Sequence, residues 1–241
     1  MPNDLSPINA LPVASSHPTS EVLNALLADP TLVSREMQVD ASTLLYEVNT
    51  PARWLYLVRL GQVRIIQPGK ASEARLVEIL GQGDWFGVPA LAKRDTYGSI
   101  AMAVGAATVC QVPAEQLISR LPANPGAAED LIWQLAGKLQ TAHEDAVNLV
   151  FDDTSERLVK TLLQFSRSAA ATLDDEEGGI VLQITHQQLA QAIGAARETV
   201  SLTLTQLRQQ NLLRTGRNRL WFNPAALEEF SRRDQPTAAP K

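Results

Sequence analysis

The chain has 241 residues, 45% of them hydrophobic, a formal net charge of −5, one cysteine and three histidines. That is enough apolar material to bury a core in about two domains, and the acidic balance argues against a protein that coats nucleic acid. The lone cysteine excludes a disulfide framework and suits a reducing cytosol, no apolar stretch approaches the ~20 residues of a membrane span, and Met1-Pro-Asn-Asp lacks the basic-then-apolar order of a signal peptide, so a soluble cytoplasmic protein is expected.

In chain order, residues 1–18, with four prolines and many small polar residues, read as a flexible tail. Residues 19–125 follow as a β-rich sensor domain. Its runs are Leu55-Tyr-Leu-Val-Arg-Leu, Gln62-Val-Arg-Ile-Ile, Arg75-Leu-Val-Glu-Ile-Leu, Gly81-Gln-Gly-Asp-Trp-Phe-Gly87, Ser99-Ile-Ala-Met-Ala-Val and Thr108-Val-Cys-Gln-Val. Strands about ten residues apart with turns between them predict a closed or double-sheet β-barrel of the jelly-roll (double-stranded β-helix) type. A barrel enzyme of the cupin kind needs clustered metal ligands. His17, His143 and His186 instead fall in the tail, a long helix and a later short helix, so no metal triad can be assembled, no cofactor is implied and an enzyme is not expected. Cys110 within a β-run is either a buried, inert thiol or a redox sensor.

Residues 126–151 form one long helical pattern. Ala128, Ile132, Leu135, Leu139, Ala142, Ala146 and Leu149 recur at steps of four and three, a seam held for three heptads. It predicts a parallel two-stranded dimer contact or packing on the chain's own barrel, and a helix is wide enough for both. Asp152-Asp-Thr-Ser-Glu156 interrupts the pattern as a hinge, where Asp153 or Thr154 caps the next helix, Arg157 to Phe165. Asp174-Asp-Glu-Glu177 before two glycines reads as a solvated turn.

The last domain, residues 152–230, carries the most informative stretch of the chain. Thr185 and Gln188 form a capping box that opens a helix with Leu189, Ala190 and Ile193 inward, and Gly194 ends it at a turn that favours positive φ. A second helix restarts near Arg197 and buries Val200, Leu204 and Leu207. This is a helix-turn-helix, whose outer face offers Arg197, Glu198, Ser201, Leu202 and Thr205. An exposed charge pair on an ordinary surface helix is the plain alternative for Arg197 and Glu198. As base readers, a guanidinium fork matches guanine O6 and N7, and a carboxylate accepts from cytosine N4. From Ile184 to Lys241 eight Lys/Arg stand against four Asp/Glu, net +4, whereas the first 183 residues hold 13 against 22, net −9. A basic module on an acidic body fits focused phosphate contact. Arg214, Arg217 and Arg219 flank a Gly216-Arg-Asn turn between Leu212-Leu213 and Leu220-Trp-Phe222, either a wing able to straddle a phosphate backbone or a plain solvated hairpin. Residues 231–241 read as a second flexible tail.

A small barrel, a dimer helix and a winged helix-turn-helix in that order, an α+β architecture, resemble the Crp/Fnr superfamily of bacterial transcription regulators. The resemblance spans roughly residues 20 to 223 and is carried by Gly61, Gly83-Asp-Trp-Phe-Gly87, Asn148-Leu-Val-Phe-Asp-Asp-Thr-Ser-Glu-Arg157 and Arg197-Glu-Thr-Val200. It implies site-specific binding of double-stranded DNA at an inverted repeat, as a homodimer, with contact to RNA polymerase, in which acidic residues 174–177 occupy a polymerase-touching region. It also implies phosphate contacts from Thr185, Gln187 and Thr199, with Arg197 and Glu198 on bases and Arg217 and Arg219 on the wing. Leu202 stands where cyclic-AMP-responsive members carry a third base-reading Arg. Those members hold the ribose with Phe-Gly-Glu and the cyclic phosphate with Arg-Ser or Arg-Thr. Here the first is Phe86-Gly87-Val88-Pro89 and the second falls in Thr96-Tyr97-Gly98-Ser99, with no Arg. Ala142 and His143 occupy the adenine-contacting helix positions. The corresponding candidate effector pocket is Phe86, Gly87, Val88, Tyr97, Ser99 and His143, and cyclic AMP is not expected to be its ligand, because a buried phosphate without its cation leaves several kcal/mol of desolvation uncompensated. A branch that senses 2-oxoglutarate shares the Phe-Gly-Val run but needs an Arg that this strand lacks, and no N-terminal cysteine cluster is present for an iron–sulfur centre. An unnamed small-molecule effector or redox signal remains the alternative to effector-free DNA binding. His143 is then either a pocket group or an ordinary polar residue on a helix.

Overall fold

The computed structural model describes residues 21–32, 35–69, 74–168, 171–174 and 179–233. The expected tail of residues 1–18 lies outside the described residues, as does all of the acidic 174–177 segment except Asp174, whose N–H donates to the Gly179 carbonyl at 3.1 Å.

The first half is two facing antiparallel sheets. One runs in the order β1 (Arg35–Val39), β8 (Ala107–Pro113), β3 (Trp54–Leu60), β6 (Trp85–Phe86); the other runs β2 (Leu44–Tyr46), β7 (Ile100–Ala103), β4 (Val63–Pro68), β5 (Ala74–Leu80). This is the expected jelly-roll-like barrel, with two further short strands, β1 and β2, that no run of the sequence marks off from its surroundings. Alternation sets the layering of β4, where Val63 and Ile65 turn inward; they join Leu55 to Val58 of β3, whose Arg59 and Leu60 are exposed, and Val109, Cys110 and Val112 of β8 in one core. Gly87 follows β6 at φ +96°, and a Cβ there would stand 2.6 Å from the Trp54 carbonyl oxygen, so only glycine lets the chain leave the sheet at this point. Two short helices bracket the barrel, α1 (Glu21–Leu27) and α2 (Ala114–Arg120). The Leu23 N–H ties α1 to the Asp130 carboxylate on the helix that follows, at 3.2 Å.

That helix, α3 (Pro125–Phe151), is 27 residues long. Its barrel side is Ala127, Leu131 and Gln134, all buried, with Leu135 half-buried against the same core. Ile132, Ala136, Leu139, Ala142, His143, Ala146, Val147, Leu149, Val150 and Phe151 are exposed in the single chain. Leu135, one of the seam positions, packs against the barrel, the second of the two contacts open to the seam.

The second half begins with α4 (Thr154–Ser166), capped by Asp153, whose side chain accepts from the Glu156 N–H while Glu156 accepts from the Asp153 N–H; of the two expected caps it is Asp153. The helix consequently starts three residues before Arg157. A sheet in the order β11 (Leu213–Gly216), β12 (Arg219–Phe222), β10 (Ile180–Leu182), β9 (Thr172–Leu173) and helices α5 (His186–Ile193), α6 (Arg197–Gln209) and α7 (Pro224–Arg233) complete it. Ser231 to Arg233, expected as tail, continue α7, where Glu228 pairs with Arg232 one turn on and with Arg167 at the C-terminal cap of α4. A core of Leu158, Leu162, Ile184, Leu189, Val200, Leu204, Leu220 and Leu227 holds these elements, and Leu76 and Ile79 of β5 belong to that core. No helix among the described residues is long and apolar enough to cross a membrane.

Candidate nucleic-acid interface and sensor interior

Thr185 opens α5. Its hydroxyl accepts from the Gln188 N–H at 3.1 Å, and its own N–H donates to the Gln188 side-chain oxygen at 2.8 Å, the expected capping box. Gly194 closes the helix at φ +65°. The chain re-enters α6 at Arg197, with Val200, Thr203, Leu204 and Leu207 buried against Leu189, Ala190, Ala192 and Ile193. Burial of that side fixes what the other side shows. Gln187, Arg197, Glu198, Thr199, Leu202 and Thr205 are exposed, and Ser201 is partly covered. The Ser201 hydroxyl donates to the Arg197 carbonyl at 2.9 Å and the Thr205 hydroxyl to the Ser201 carbonyl at 2.8 Å, so both present lone pairs rather than hydrogens to a ligand. Arg217 and Arg219 are exposed at and beside a two-residue turn, because Gly216 pairs with Arg219 across the hairpin. Arg214, inside β11, sits 5.9 Å from the centre of the Trp221 ring instead of at the tip.

Two residues to which the sequence assigned no part in this face, Arg157 and His186, help to build it. The Arg157 guanidinium donates to the Asp152 carbonyl at 2.7 Å and to the Ile193 carbonyl at 3.1 Å, joining the hinge to the C-terminus of α5. His186, the first residue of α5, has Nδ1 2.9 Å from the Ser201 hydroxyl oxygen on α6. Neither pairing has a local signature, since the partners lie 36 and 15 residues apart.

The expected effector pocket is packed with aromatic side chains. Tyr46 stacks on Tyr97 with ring centres 3.9 Å apart, Tyr56 stacks on Phe86 at 5.0 Å, and Phe86 and Tyr97 are 2% and 0% exposed. The Tyr97 hydroxyl donates to the Trp54 carbonyl at 2.6 Å and accepts its N–H at 3.1 Å, while Ser99 hydrogen-bonds Tyr46. Burial pushes the Tyr46 phenol up to about 12, so it stays neutral at any physiological pH. Phe86 and Tyr97 are thus core, with Val88 packed against it, Gly87 buried beside Phe86, and Ser99 half-buried at its edge. His143 is exposed on the outward side of α3 and is not part of this cluster. At the helix edge of the barrel Lys138 pairs with Glu78 at 2.9 Å and lies 5.9 Å from the centre of the Trp85 ring, whose indole N–H donates to Gln134. Burial raises the Asp84 carboxyl above its ordinary range despite the Gly81 N–H that it accepts at 2.8 Å. Cys110 is 1% exposed; burial raises its thiol, and it meets Glu36 at 3.5 Å.

The chain matches the cyclic nucleotide-binding domain over residues 36–123 and the Crp-like helix-turn-helix domain over residues 156–230. It is 29% identical over 173 residues to the cAMP-activated global transcriptional regulator CRP of Salmonella typhimurium, covering 71% of this chain and 81% of that protein. To the cyclic AMP receptor protein of Thermus thermophilus it is 29% identical over 175 residues, 73% of this chain and 77% of that one. The fold is similar to that of the c-di-GMP responsive regulator CLP of Xanthomonas campestris, with a TM-score of 0.69 at 23% identity over 84% of this chain and 98% of that chain. A CRP/FNR-family regulator of Thermus thermophilus aligns with a TM-score of 0.66 at 25% identity over 82% and 98%. With both domains matched in order around one long helix, the chain belongs to the Crp/Fnr family of DNA-binding transcription regulators.

Proposed function

We propose that the protein acts in the cytoplasm as a homodimer on an inverted-repeat operator, without cyclic AMP and without an enzymatic reaction of its own. The observation that carries the reading is the exposed start of α6, where Arg197 and Glu198 stand side by side above a fully buried opposite face. Arg197 and Glu198 read bases; Thr185, Gln187, Thr199, Arg217 and Arg219 meet phosphates; Ser201, Leu202 and Thr205 line the groove. In this organisation residues 19–125 are the sensor domain, 126–151 the dimer helix and 152–230 the reader. The outward side of α3, with Ile132 66% and Leu139 58% exposed and Ala142, Ala146 and Leu149 along it, supplies the two-fold contact, which sets two recognition helices one DNA turn apart. RNA polymerase is the partner through which such a dimer regulates transcription.

Independence from cyclic AMP rests on the barrel interior. A cyclic nucleotide needs a carboxylate for its ribose and a cation for its phosphate, whereas Val88 and Pro89 stand after Phe86-Gly87, residues 96–99 hold no Arg, and the Tyr46, Tyr56 and Tyr97 rings pack the space. The residues present do not fit the nucleotide. Selection of bound sequences from random DNA with purified, ligand-free protein tests the reading as a whole. An inverted repeat with half-sites ~10 base pairs apart is the expected product. Recovery of no preferred sequence without added ligand would favour a barrel gated by another small molecule.

A further inference from the structure

His186 and Ser201 make a contact between the two helices of the reader that the DNA-binding assignment leaves unused. Ser201 donates its single hydrogen to the Arg197 carbonyl at 2.9 Å, so only its lone pairs face the imidazole 2.9 Å away. The hydrogen in the His186–Ser201 bond therefore sits on Nδ1, and the neutral ring is left with a bare lone pair on Nε2. His186 lies between Thr185 and Gln187, two residues assigned to phosphates, and its ring reaches Ser201, one turn into the recognition helix, whose hydroxyl is tied back to the first turn at the Arg197 carbonyl. A lone pair is repelled by a phosphate oxygen, whereas a protonated Nε2 donates to it and brings a full positive charge.

We propose that His186 is a proton-linked phosphate contact: Nδ1–H holds Ser201 and the first turn of α6 in place, and Nε2 takes up a proton when the operator's backbone arrives. The inference rests on the reading that α5 and α6 face DNA. Burial, and then the positive charge of Arg197, hold the imidazole below the ordinary histidine range in the free protein, so it is neutral there at neutral pH. A phosphate at Nε2 raises it. Between the free and bound values each protomer takes up a proton on binding, and operator affinity climbs as pH falls, levelling off below the free value. Among the groups packed against the ring, Arg197 is the charged one and Ser201 the hydrogen-bonding one. No carboxylate contributes to its shift, so a phosphate supplies the missing anion.

The test uses the full-length protein and its selected operator in anisotropy titrations from pH 5.5 to 8. Wild type is expected to gain about tenfold in affinity per protomer towards acid, the lower end of a charged hydrogen bond. His186→Asn keeps a donor at the Nδ1 position and loses the titration, so its pH slope should flatten. His186→Arg should hold high affinity at every pH. In the unmodified protein, the His186 Cε1 proton followed by NMR should titrate at a higher pH with operator than without. Equal pH slopes for wild type and His186→Asn, or a His186 titration unmoved by operator, would overturn the inference. Failure of wild type to prefer the selected operator over scrambled DNA at any pH would instead overturn the DNA-facing reading itself.

Discussion

Arg197 and Glu198 stand free at the start of α6 because Val200, Leu204 and Leu207 commit the other side of the helix to the core. Each replaced by Ala is expected to cost roughly 1–3 kcal/mol on the operator and to relax preference at one base position, while Arg217→Ala weakens binding to all sequences alike. Operator titrations against single-base variants separate the two patterns, and a uniform loss for Arg197→Ala would remove it from base reading. Asp84 offers a test of the sensor interior. Its carboxyl is raised by burial, so folding favours the protonated form: the favourable contribution is complete below the unfolded value and is lost as pH rises through the folded one. Asp84→Asn, which keeps an oxygen for the Gly81 N–H, should melt higher than wild type at pH 8 and lose that advantage in acid. A lower melting temperature at pH 8 would mean that the Lys138 charge outweighs desolvation. At this scale the sequence disclosed what is local. Thr185, Gln188 and Gly194 carry their roles in their spacing and residue types, whereas the aromatic stacking of Tyr46 on Tyr97 and the reach of His186 to Ser201 are products of tertiary packing.

The long helix shows how a periodic signal is legible in kind and ambiguous in phase. Its length and amphipathic character follow from the sequence, yet two apolar stripes run along α3, one against the barrel and one outward, and a single heptad frame drawn through Leu135 and Leu139 merges them. The outward stripe passes through Ile132, Ala136, Leu139, His143, Ala146 and Val150, steps of four and three in a frame turned away from Leu135. Leu139→Glu is therefore expected to give folded monomers with weak operator binding in sedimentation experiments. Leu135→Glu should instead lower barrel stability by roughly 1–3 kcal/mol in thermal melts, since it drives a charge into the core. The opposite pattern would return the seam to Leu135. Strands β1 and β2 carry no sequence signature for a related reason: Arg35-Glu-Met-Gln-Val39 and Leu44-Leu-Tyr46 are too short or too polar for alternation to rise above their surroundings, and their state is set by pairing with β8 and β7.

Across the whole molecule, the aromatic interior predicts indifference to cyclic nucleotides. Millimolar cyclic AMP or cyclic GMP should leave both the melting temperature and the operator affinity unchanged, because a ligand shifts an equilibrium only by its differential affinity for the two states. A tenfold gain in affinity, about 1.4 kcal/mol, accompanied by a clear thermal shift would show that a cation reaches the barrel interior after all. The order of domains was readable from composition and motif, but their mutual packing was not, because no local pattern marks a strand whose outer side serves another domain. Leu76 and Ile79 project from the barrel's β5 into the core that holds α5. The two halves are consequently poor candidates for exchange by recombination. A chimera joining this reader to a foreign barrel would strip the cover from α5, at roughly 1.5–3 kcal/mol for each large aliphatic side chain left in water, and would inherit a sticky surface where the parent has a seam. A substitution that reshapes Leu76 or Ile79 in the sensor is therefore expected to reach the footing of the reader as well, through the core that they share.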